Sequence, residues 1–178
     1  MPDLAGPVDA LHPDVLAALQ ASGAPDRVVV HRHADLPQPI DSAAAFARAV
    51  GCAPGQVAKT LLLARAGAGP DEAGGLALAC LGSPERLSFA AAAAALGWGR
   101  CSMAPRGTPE RRLGQPPGSV SPLAPGGLPV LVDRGLAGYD RVMVGAGRLG
   151  LDIELPLALL LTLSRGTWHA IAEPPKEG

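Results

Sequence analysis

Asparagine is absent from this chain of 178 residues, only two of its 15 basic residues are lysines, and its aromatic side chains number five. Without asparagine the chain has no acceptor for N-linked glycosylation. Five aromatic rings are too few for a platform that stacks the bases of single-stranded nucleic acid. A net charge of −1 also gives no global basic field, so we expect no binding to DNA.

Long apolar runs, disulfide frameworks and targeting segments are missing as well. No apolar stretch reaches the roughly 18 residues that a membrane span needs. The N-terminus has no basic region followed by an apolar run, so no signal peptide is expected. The three cysteines, Cys52, Cys80 and Cys101, form no CxxC pair, which fits a reducing compartment. These features predict a cytoplasmic protein without a membrane partner.

The remaining composition predicts an α+β domain. Hydrophobic residues make up 48% of the chain, and 23 glycines with 19 prolines indicate many turns. We expect one domain over 1–178, with a core at about 13–172 and a disordered tail at 173–178. Helices are predicted at 13–22, 41–50, 88–97, 108–113 and 156–163, with Asp41 and Ser88 as N-caps; strands are predicted at 27–33, 57–64, 76–81, 99–103, 128–133, 142–145, 151–155 and 167–172. Because helices and strands are interspersed, a mixed sheet is expected.

The most informative single residue is a lysine inside an apolar segment. Lys59 lies in VAKTLLL at 57–63, and by strand alternation it shares a face with Leu61 and Leu63. Charged side chains are seldom buried without a partner, so Lys59 either lines a pocket or extends to solvent from a strand end. In a pocket it would be a cation aimed at a carbonyl, carboxylate or phosphate, or a desolvated amine nucleophile.

The loop at 114–123, GQPPGSVSPL, is a second candidate. Its glycines would let backbone N–H groups approach a ligand closely, and its prolines would stiffen it. Such a loop could donate hydrogen bonds to a carbonyl that becomes an oxyanion. The alternative is an ordinary surface loop. Just before it, Arg106, Arg111 and Arg112 form a basic group that is either solvated or, beside a pocket, able to hold phosphates.

Two carboxylates alternate with apolar residues at 151–155. Asp152 and Glu154 therefore share one strand face, where one of them could pair with Lys59 or orient water, unless the face is simply solvated. The preceding run at 145–150 matches GxGxxG by letters. A strand is predicted after it, and no βαβ unit precedes it, so a dinucleotide site is not expected.

Histidines supply the last candidates. His31 and His33 lie on one face of a predicted strand and could begin a metal site, but no third ligand has suitable spacing. Neither HExxH nor a Cys/His quartet occurs, so no metal is expected. The cysteines lack a recognisable nucleophile setting and are expected to pack as small apolar residues.

Taken in order, these segments resemble the YbaK/prolyl-tRNA synthetase editing-domain family, which hydrolyses mischarged aminoacyl-tRNA. The resemblance runs from about residue 13 to residue 172 and rests on order and spacing. Its pieces are AxxVG at 47–51, QVAKTL at 56–61, SPERLS at 83–88, LG at 96–97, MA at 103–104, the loop at 114–123, LPVLVD at 128–133 and GRLGLDIEL at 147–155.

The resemblance implies a mixed, curved sheet, partly barrel-like and wrapped by helices, with one cleft. Lys59 would match the family's essential lysine, Gly118 the glycine whose backbone holds the substrate carbonyl, and Asp152 an aspartate near the cleft. These three are the implied catalytic residues, and no metal or cofactor is implied. The implied substrate-binding neighbours are His33, Thr60, Ser119, Val120, Ser121 and Gly147.

The implied activity is a trans-acting deacylase that hydrolyses the ester of mischarged tRNA, such as tRNA-Pro carrying Ala, Cys, Ser or Thr. Its partner would be the acceptor end of aminoacyl-tRNA. Whether a synthetase or an elongation factor is a further partner is left open. Departures from many relatives are Leu113 in place of Thr, Ser119 in place of a second Gly, and His33 near a Tyr position. They bear on which amino acid is accepted. The alternatives are a non-catalytic binding module for tRNA ends or an amino acid, and an enzyme with Lys59 as a Schiff-base nucleophile.

Overall fold

The computed structural model describes residues 10–24, 27–69 and 72–174. Within them lie helices α1 (Pro13–Ala21), α2 (Ala43–Val50), α3 (Phe89–Ala95), α4 (Thr108–Leu113) and α5 (Leu157–Ser164), and strands β1 (Val29–Arg32), β2 (Ala58–Arg65), β3 (Leu76–Gly82), β4 (Cys101–Met103), β5 (Val130–Asp133), β6 (Arg141–Gly145), β7 (Leu151–Pro156) and β8 (Thr167–His169). In the part of the chain that the structure describes, no helix has the length and apolarity needed to cross a membrane.

Local sequence accounts for most helix ends. The hydroxyl of Ser88 accepts a hydrogen bond from the amide of Ala91, as expected of the N-cap of α3. The N-cap of α2 is Ser42 and not Asp41, because the Ser42 hydroxyl accepts from the Ala45 amide at 3.1 Å. Asp41 instead accepts a hydrogen bond from the Ser42 hydroxyl.

The α+β class is confirmed, but the strands form two open sheets where one partly barrel-like sheet was expected. One sheet has the order β1-β7-β6 and is antiparallel; the other has the order β4-β2-β3-β5-β8 and is mixed. Among the described residues, an isolated parallel β-bridge between Val57 and Met143 joins the two sheets. The physical reason is that a strand has two edges, and β3 and β4 already occupy both edges of β2.

The main hydrophobic core lies between the two sheets and also receives α1 and α5. Strand β3 is buried along its whole length, because helices and strands cover both of its faces. A second cluster lies between α3 and the opposite face of β2 and β3, around Leu63 and Leu81. A small third cluster under α2, around Phe46, Val57 and Met143, supports the edge where the sheets meet.

A buried carboxylate ends the last strand earlier than predicted. Asp133 is only 4% exposed, and its side chain accepts hydrogen bonds from the amides of Gly135, Ile171 and Ala172. Since those last two amides turn toward Asp133, β8 ends at His169 and does not continue to residue 172.

Glu173, the first residue of the predicted disordered tail, is held against the fold by Arg86. The Glu173 amide donates to the Arg86 carbonyl at 2.7 Å, and the two side chains form an ion pair at 3.4 Å. Residues 175–178 of the predicted tail lie outside the described residues.

Replacing Asp133 by alanine should strongly destabilise the fold. The substitution leaves the buried amide of Ile171 and the partly buried amide of Ala172 without acceptors, so we expect the free energy of unfolding to fall by about 2–4 kcal/mol. Urea unfolding measures it. Asp140→Asn is the control, because the Asp140 carboxylate makes no hydrogen bond among the described residues. Equal stability of both variants would contradict the assignment.

Candidate functional site

A cavity of about 470 Å³ opens where the two sheets and the 114–123 loop meet. Six of the nine site residues suggested by the sequence line it, namely His33, Lys59, Thr60, Gly118, Val120 and Asp152. They come from β2, from the loop, from β7 and from the turn after β1. The cavity therefore gathers residues that lie far apart along the chain.

Lys59 reaches the cavity from the start of β2. Its Nζ donates hydrogen bonds to the carbonyls of Ser83, at 3.1 Å, and Glu85. An ammonium has three N–H donors, so one remains for a ligand. Burial lowers the pKa of Lys59, and the nearby Glu85 carboxylate opposes that shift. The suggested pairing of Lys59 with Asp152 or Glu154 does not occur, because both carboxylates are bound to other groups.

Asp152 is bound to a histidine across the β1–β7 edge. Its Oδ2 lies 2.7 Å from Nε2 of His33, and the two side chains are 18% and 27% exposed. Burial raises the pKa of Asp152, while the hydrogen bond from His33 and the charges of both histidines oppose the rise. The His33 ring packs against the ring of Phe46, with centroids 5.3 Å apart. The imidazole and the carboxylate thus face the cavity as one unit.

Glu154 belongs to a separate cluster. Its carboxylate accepts from Arg141 at 2.6 Å and lies 3.0 Å from Nε2 of His31. Burial alone would raise the pKa of Glu154, but the hydrogen bonds and charges of Arg141 and His31 together lower it. Neither His31 nor Glu154 lines the cavity. Both imidazoles on β1 and the turn after it are thus engaged with carboxylates, and the described residues contain no group of three or more metal-binding side chains.

The 114–123 loop has two unused amides, both in residues that line the cavity. Gly118 has a φ of +83°, a conformation that L side chains rarely adopt. Within the described residues, the amides of Gly118 and Val120 have no hydrogen-bond acceptor. The Ser119 amide between them already donates to the Pro116 carbonyl at 3.1 Å. Gly118 and Val120 are therefore the available donors, whereas Ser119, one of the substrate-binding neighbours implied by the resemblance, has no free amide.

Ser119, Ser121 and Gly147 do not line the cavity but brace the loop from behind. The Ser119 hydroxyl donates to Pro116, and its carbonyl accepts from the Gly147 amide at 2.8 Å. Ser121 is fully buried, and its amide donates to the Gln115 side chain at 2.7 Å. These contacts give the three residues a role in holding the shape of the loop.

Gly145 is a site residue that sequence reasoning missed. A Cβ there would lie 2.8 Å from the carbonyl oxygens of both Ser119 and Val120, so only glycine lets β6 approach the loop this closely. A sequence signal for this close approach existed, because a glycine within a strand often marks a place where another backbone comes near. Gly145 begins the glycine run at 145–150, which was considered only as a dinucleotide-binding motif. The cavity wall also includes Phe46 and Leu149, whose proximity depends on tertiary packing.

A second cavity, of about 550 Å³, adjoins the first one. The two share Thr60, Leu61, Gly118 and Val120 as a common wall. The rest of its lining is mostly apolar and proline-rich, with Arg106 from the predicted basic group and Met103, which is 46% exposed. Of the three arginines before the loop, Arg106 therefore lies beside a pocket, which is one of the two alternatives considered for that basic group.

The cysteines offer no activated nucleophile. Burial raises the pKa of the Cys80 thiol to about 12, and burial also raises the pKa values of Cys52 and Cys101. A thiol with a raised pKa is a poor nucleophile at neutral pH. The chemistry available at the cavity is therefore that of a cation, two free amides and a carboxylate–imidazole pair.

Comparison with known proteins places this geometry in context. Residues 37–163 match a family described as the aminoacyl-tRNA editing domain. No curated protein sequence matches the chain. The matched segment contains Lys59, both free amides and Asp152, and begins after His33.

Solved structures with the same fold are similar over nearly the whole chain. A protein described as a "putative trans-editing enzyme for prolyl tRNA synthetase" is 24% identical with a TM-score of 0.77, covering 93% of this chain and 100% of its own. A scaffold from work on epitope backbone grafting by computational design is 24% identical with a TM-score of 0.76, covering 92% of this chain and 99% of its own. A signal transduction protein from Marinobacter aquaeolei VT8, described as putative, matches 89% of this chain with 31% of its own, at 17% identity and a TM-score of 0.59. These similarities establish the fold.

The two carboxylates of β7 should affect stability in opposite ways. The folded pKa of Asp152 lies above its ordinary value, so its ionisation destabilises the fold as pH rises through that range. Asp152→Asn should therefore leave the free energy of unfolding at pH 7 unchanged or higher. Denaturant titration at pH 7 and at acid pH checks this expectation.

Glu154→Gln is the matched variant two residues away. The folded pKa of Glu154 is lowered, so its contribution is present above the unfolded pKa and is lost as pH falls through the folded pKa. We expect Glu154→Gln to lose about 1 kcal/mol at pH 7, since solvent partly screens Arg141, and to approach wild type in acid. A loss of stability at pH 7 in Asp152→Asn with none in Glu154→Gln would refute both assignments.

Proposed function

Since the chain belongs to the family of aminoacyl-tRNA editing domains, we propose that it is a trans-acting deacylase that hydrolyses the ester bond of mischarged tRNA. The expected substrates are tRNA-Pro or a similar tRNA carrying Ala, Cys, Ser or Thr. One observation supports this most directly: the Lys59 ammonium, the free amides of Gly118 and Val120 and the Asp152–His33 pair all border one cavity. The protein would act in the cytoplasm, where its substrate is made.

The proposed chemistry is stabilisation of an oxyanion. When water adds to an ester carbonyl, the oxygen acquires negative charge, and donors already aimed at it lower the barrier. The amides of Gly118 and Val120 and the third N–H of Lys59 are suitable donors. Burial lowers the pKa of Lys59, but its Nζ already donates to the carbonyls of Ser83 and Glu85, so an electrostatic role fits better than a Schiff base.

The two adjoining cavities suit the two halves of an aminoacyl ester. The ester links an amino acid to the terminal ribose, and the shared wall of Gly118 and Val120 would lie beside that link. The first cavity contains Asp41 and Asp152, whose charges suit the α-ammonium of the amino acid. The second, more apolar cavity has space for the planar terminal adenine.

Exposed side chains at the cavity mouths support contact with a large substrate. Leu149, which lines the first cavity, is 68% exposed and Met103, which lines the second, is 46% exposed, so both offer apolar surface beside the cavities. Arg106 borders the second cavity and Arg148 precedes Leu149; neither makes an ion pair within the described residues. These arginines are available for the phosphates of the acceptor end.

Lys59→Ala should strongly reduce the rate of deacylation. We expect release of one or more amino acids from tRNA charged with Ala, Ser, Cys, Thr or Pro by the wild type, and a fall of about 10²–10³-fold in kcat in the variant. Time courses of amino-acid release measure it. Lys176→Ala, a change of the only other lysine, is the control.

Full activity in Lys59→Ala would refute the role of the lysine. If the wild type binds charged tRNA but releases no amino acid from any tRNA of the panel, the non-catalytic binding module is favoured. Borohydride trapping with a mass shift on the Lys59 peptide would favour the Schiff-base mechanism.

Arg106→Ala should weaken substrate binding more than chemistry. Loss of one charge-assisted phosphate contact predicts a rise in KM of about tenfold with little change in kcat. The difference should shrink as salt is raised, because salt screens the contact. Arg134→Ala, at an exposed position that lines neither cavity, is the control. A lower kcat with unchanged KM would be inconsistent with a binding role.

A further inference from the structure

The His33 ring is held firmly but remains open to the cavity. Its backbone amide donates to the Gly150 carbonyl at 3.0 Å, and its carbonyl accepts from Leu36 at 3.2 Å. The ring packs on Phe46 and is 27% exposed through its side chain. These contacts fix the direction of the imidazole without closing it off from a ligand.

The hydrogen bond to Asp152 determines which ring nitrogen is free. With Asp152 ionised, Nε2 of His33 carries the proton that points at Oδ2, 2.7 Å away. The lone pair of the neutral ring is then on Nδ1, which has no partner within the described residues. A carboxylate that fixes one tautomer and leaves the other nitrogen free is the arrangement that a general base requires.

His31 provides an internal comparison. It is also bound to a carboxylate through Nε2, at 3.0 Å from Glu154. However, His31 does not line the cavity, and Glu154 is held by Arg141 as well. The same pairing thus occurs twice on one strand edge, and only His33 has access to the cavity.

The geometry points to His33 as a catalytic general base and acid of the deacylation, with Asp152 as its positioning residue. This inference rests on the proposed function and adds a role that the substrate-binding assignment of His33 did not include. Nδ1 takes a proton from water while the water oxygen forms a bond to the ester carbonyl carbon, whose π electrons move to the oxygen. As the oxyanion collapses, the bond to the ribose oxygen breaks and the imidazolium returns its proton to that oxygen. The products are the amino acid and tRNA with a free hydroxyl, and water is the only co-reactant.

Charged groups of both signs lie around His33. Asp152 on β7 and Asp41 before α2 are acidic, whereas Lys59 on β2 and His31 on β1 are basic. Histidine is also the side chain that ordinarily changes charge between about pH 5 and pH 8.

The first test is the pH dependence of kcat/KM for wild type, His33→Asn and the control His31→Asn. In wild type we expect kcat/KM to rise with pH across the neutral range as the base loses its proton. His33→Asn should lose about 10²–10⁴-fold in kcat/KM and lack that rise. His31→Asn should stay within about threefold of wild type and keep it. Thermal unfolding of each variant is measured in parallel.

Chemical rescue distinguishes a base from a structural residue. In His33→Ala, added imidazole should restore activity in proportion to its unprotonated fraction, because it can take the proton that Nδ1 took. Imidazoles of different pKa shift the pH dependence of the rescue accordingly. If His33→Asn proves unfolded, Asp152→Asn replaces it, with loss of the neutral rise as the expected result.

The outcomes separate the two proposals. If the wild type is active and sensitive to Lys59→Ala but His33→Asn retains its rate and pH profile, the role of His33 is overturned and the proposed function stands. Loss of rate in His33→Asn with an unchanged pH profile and no imidazole rescue also overturns it. If the wild type releases no amino acid from any charged tRNA, the proposed function fails and this inference fails with it.

Discussion

The pairing of β1 with β7 is the constraint on which the cavity depends. It joins residues about 120 positions apart, with His31 directly opposite Asp152. Because side chains alternate along a strand, this register brings both β7 carboxylates within hydrogen-bonding distance of histidines. A slip of one residue would turn these carboxylates to the other face and leave the histidines without partners.

The approach of the 114–123 loop to β6 is the second constraint. Gly145 permits contact with two loop carbonyls, and Gly147 donates to one of them. These contacts use loop carbonyls and leave the amides of Gly118 and Val120, two residues that line the cavity, without an acceptor among the described residues. Polar side chains of the loop therefore support its shape, as Ser121 and Gln115 illustrate.

Charge at the site is balanced between stability and function. Asp152 is kept in a buried place that raises its pKa, whereas neighbouring Glu154 gains two partners and has a lowered pKa. The first arrangement is unfavourable for folding but leaves a carboxylate–imidazole pair facing the cavity. The second arrangement stabilises the same strand edge beside it, which is consistent with a site maintained at some cost in stability.

The sequence by itself determined the element types and the cap at Ser88 and singled out Lys59 as a candidate, because these follow from local periodicity and from one charge in an apolar strand. It also indicated the loop at 114–123. Tertiary structure decided the division into two sheets, the partner of Asp152, the separation of Glu154 from the cavity and which loop amides are free. These features depend on hydrogen bonds and packing between residues distant in the chain, and local patterns carry no information about which distant groups will meet.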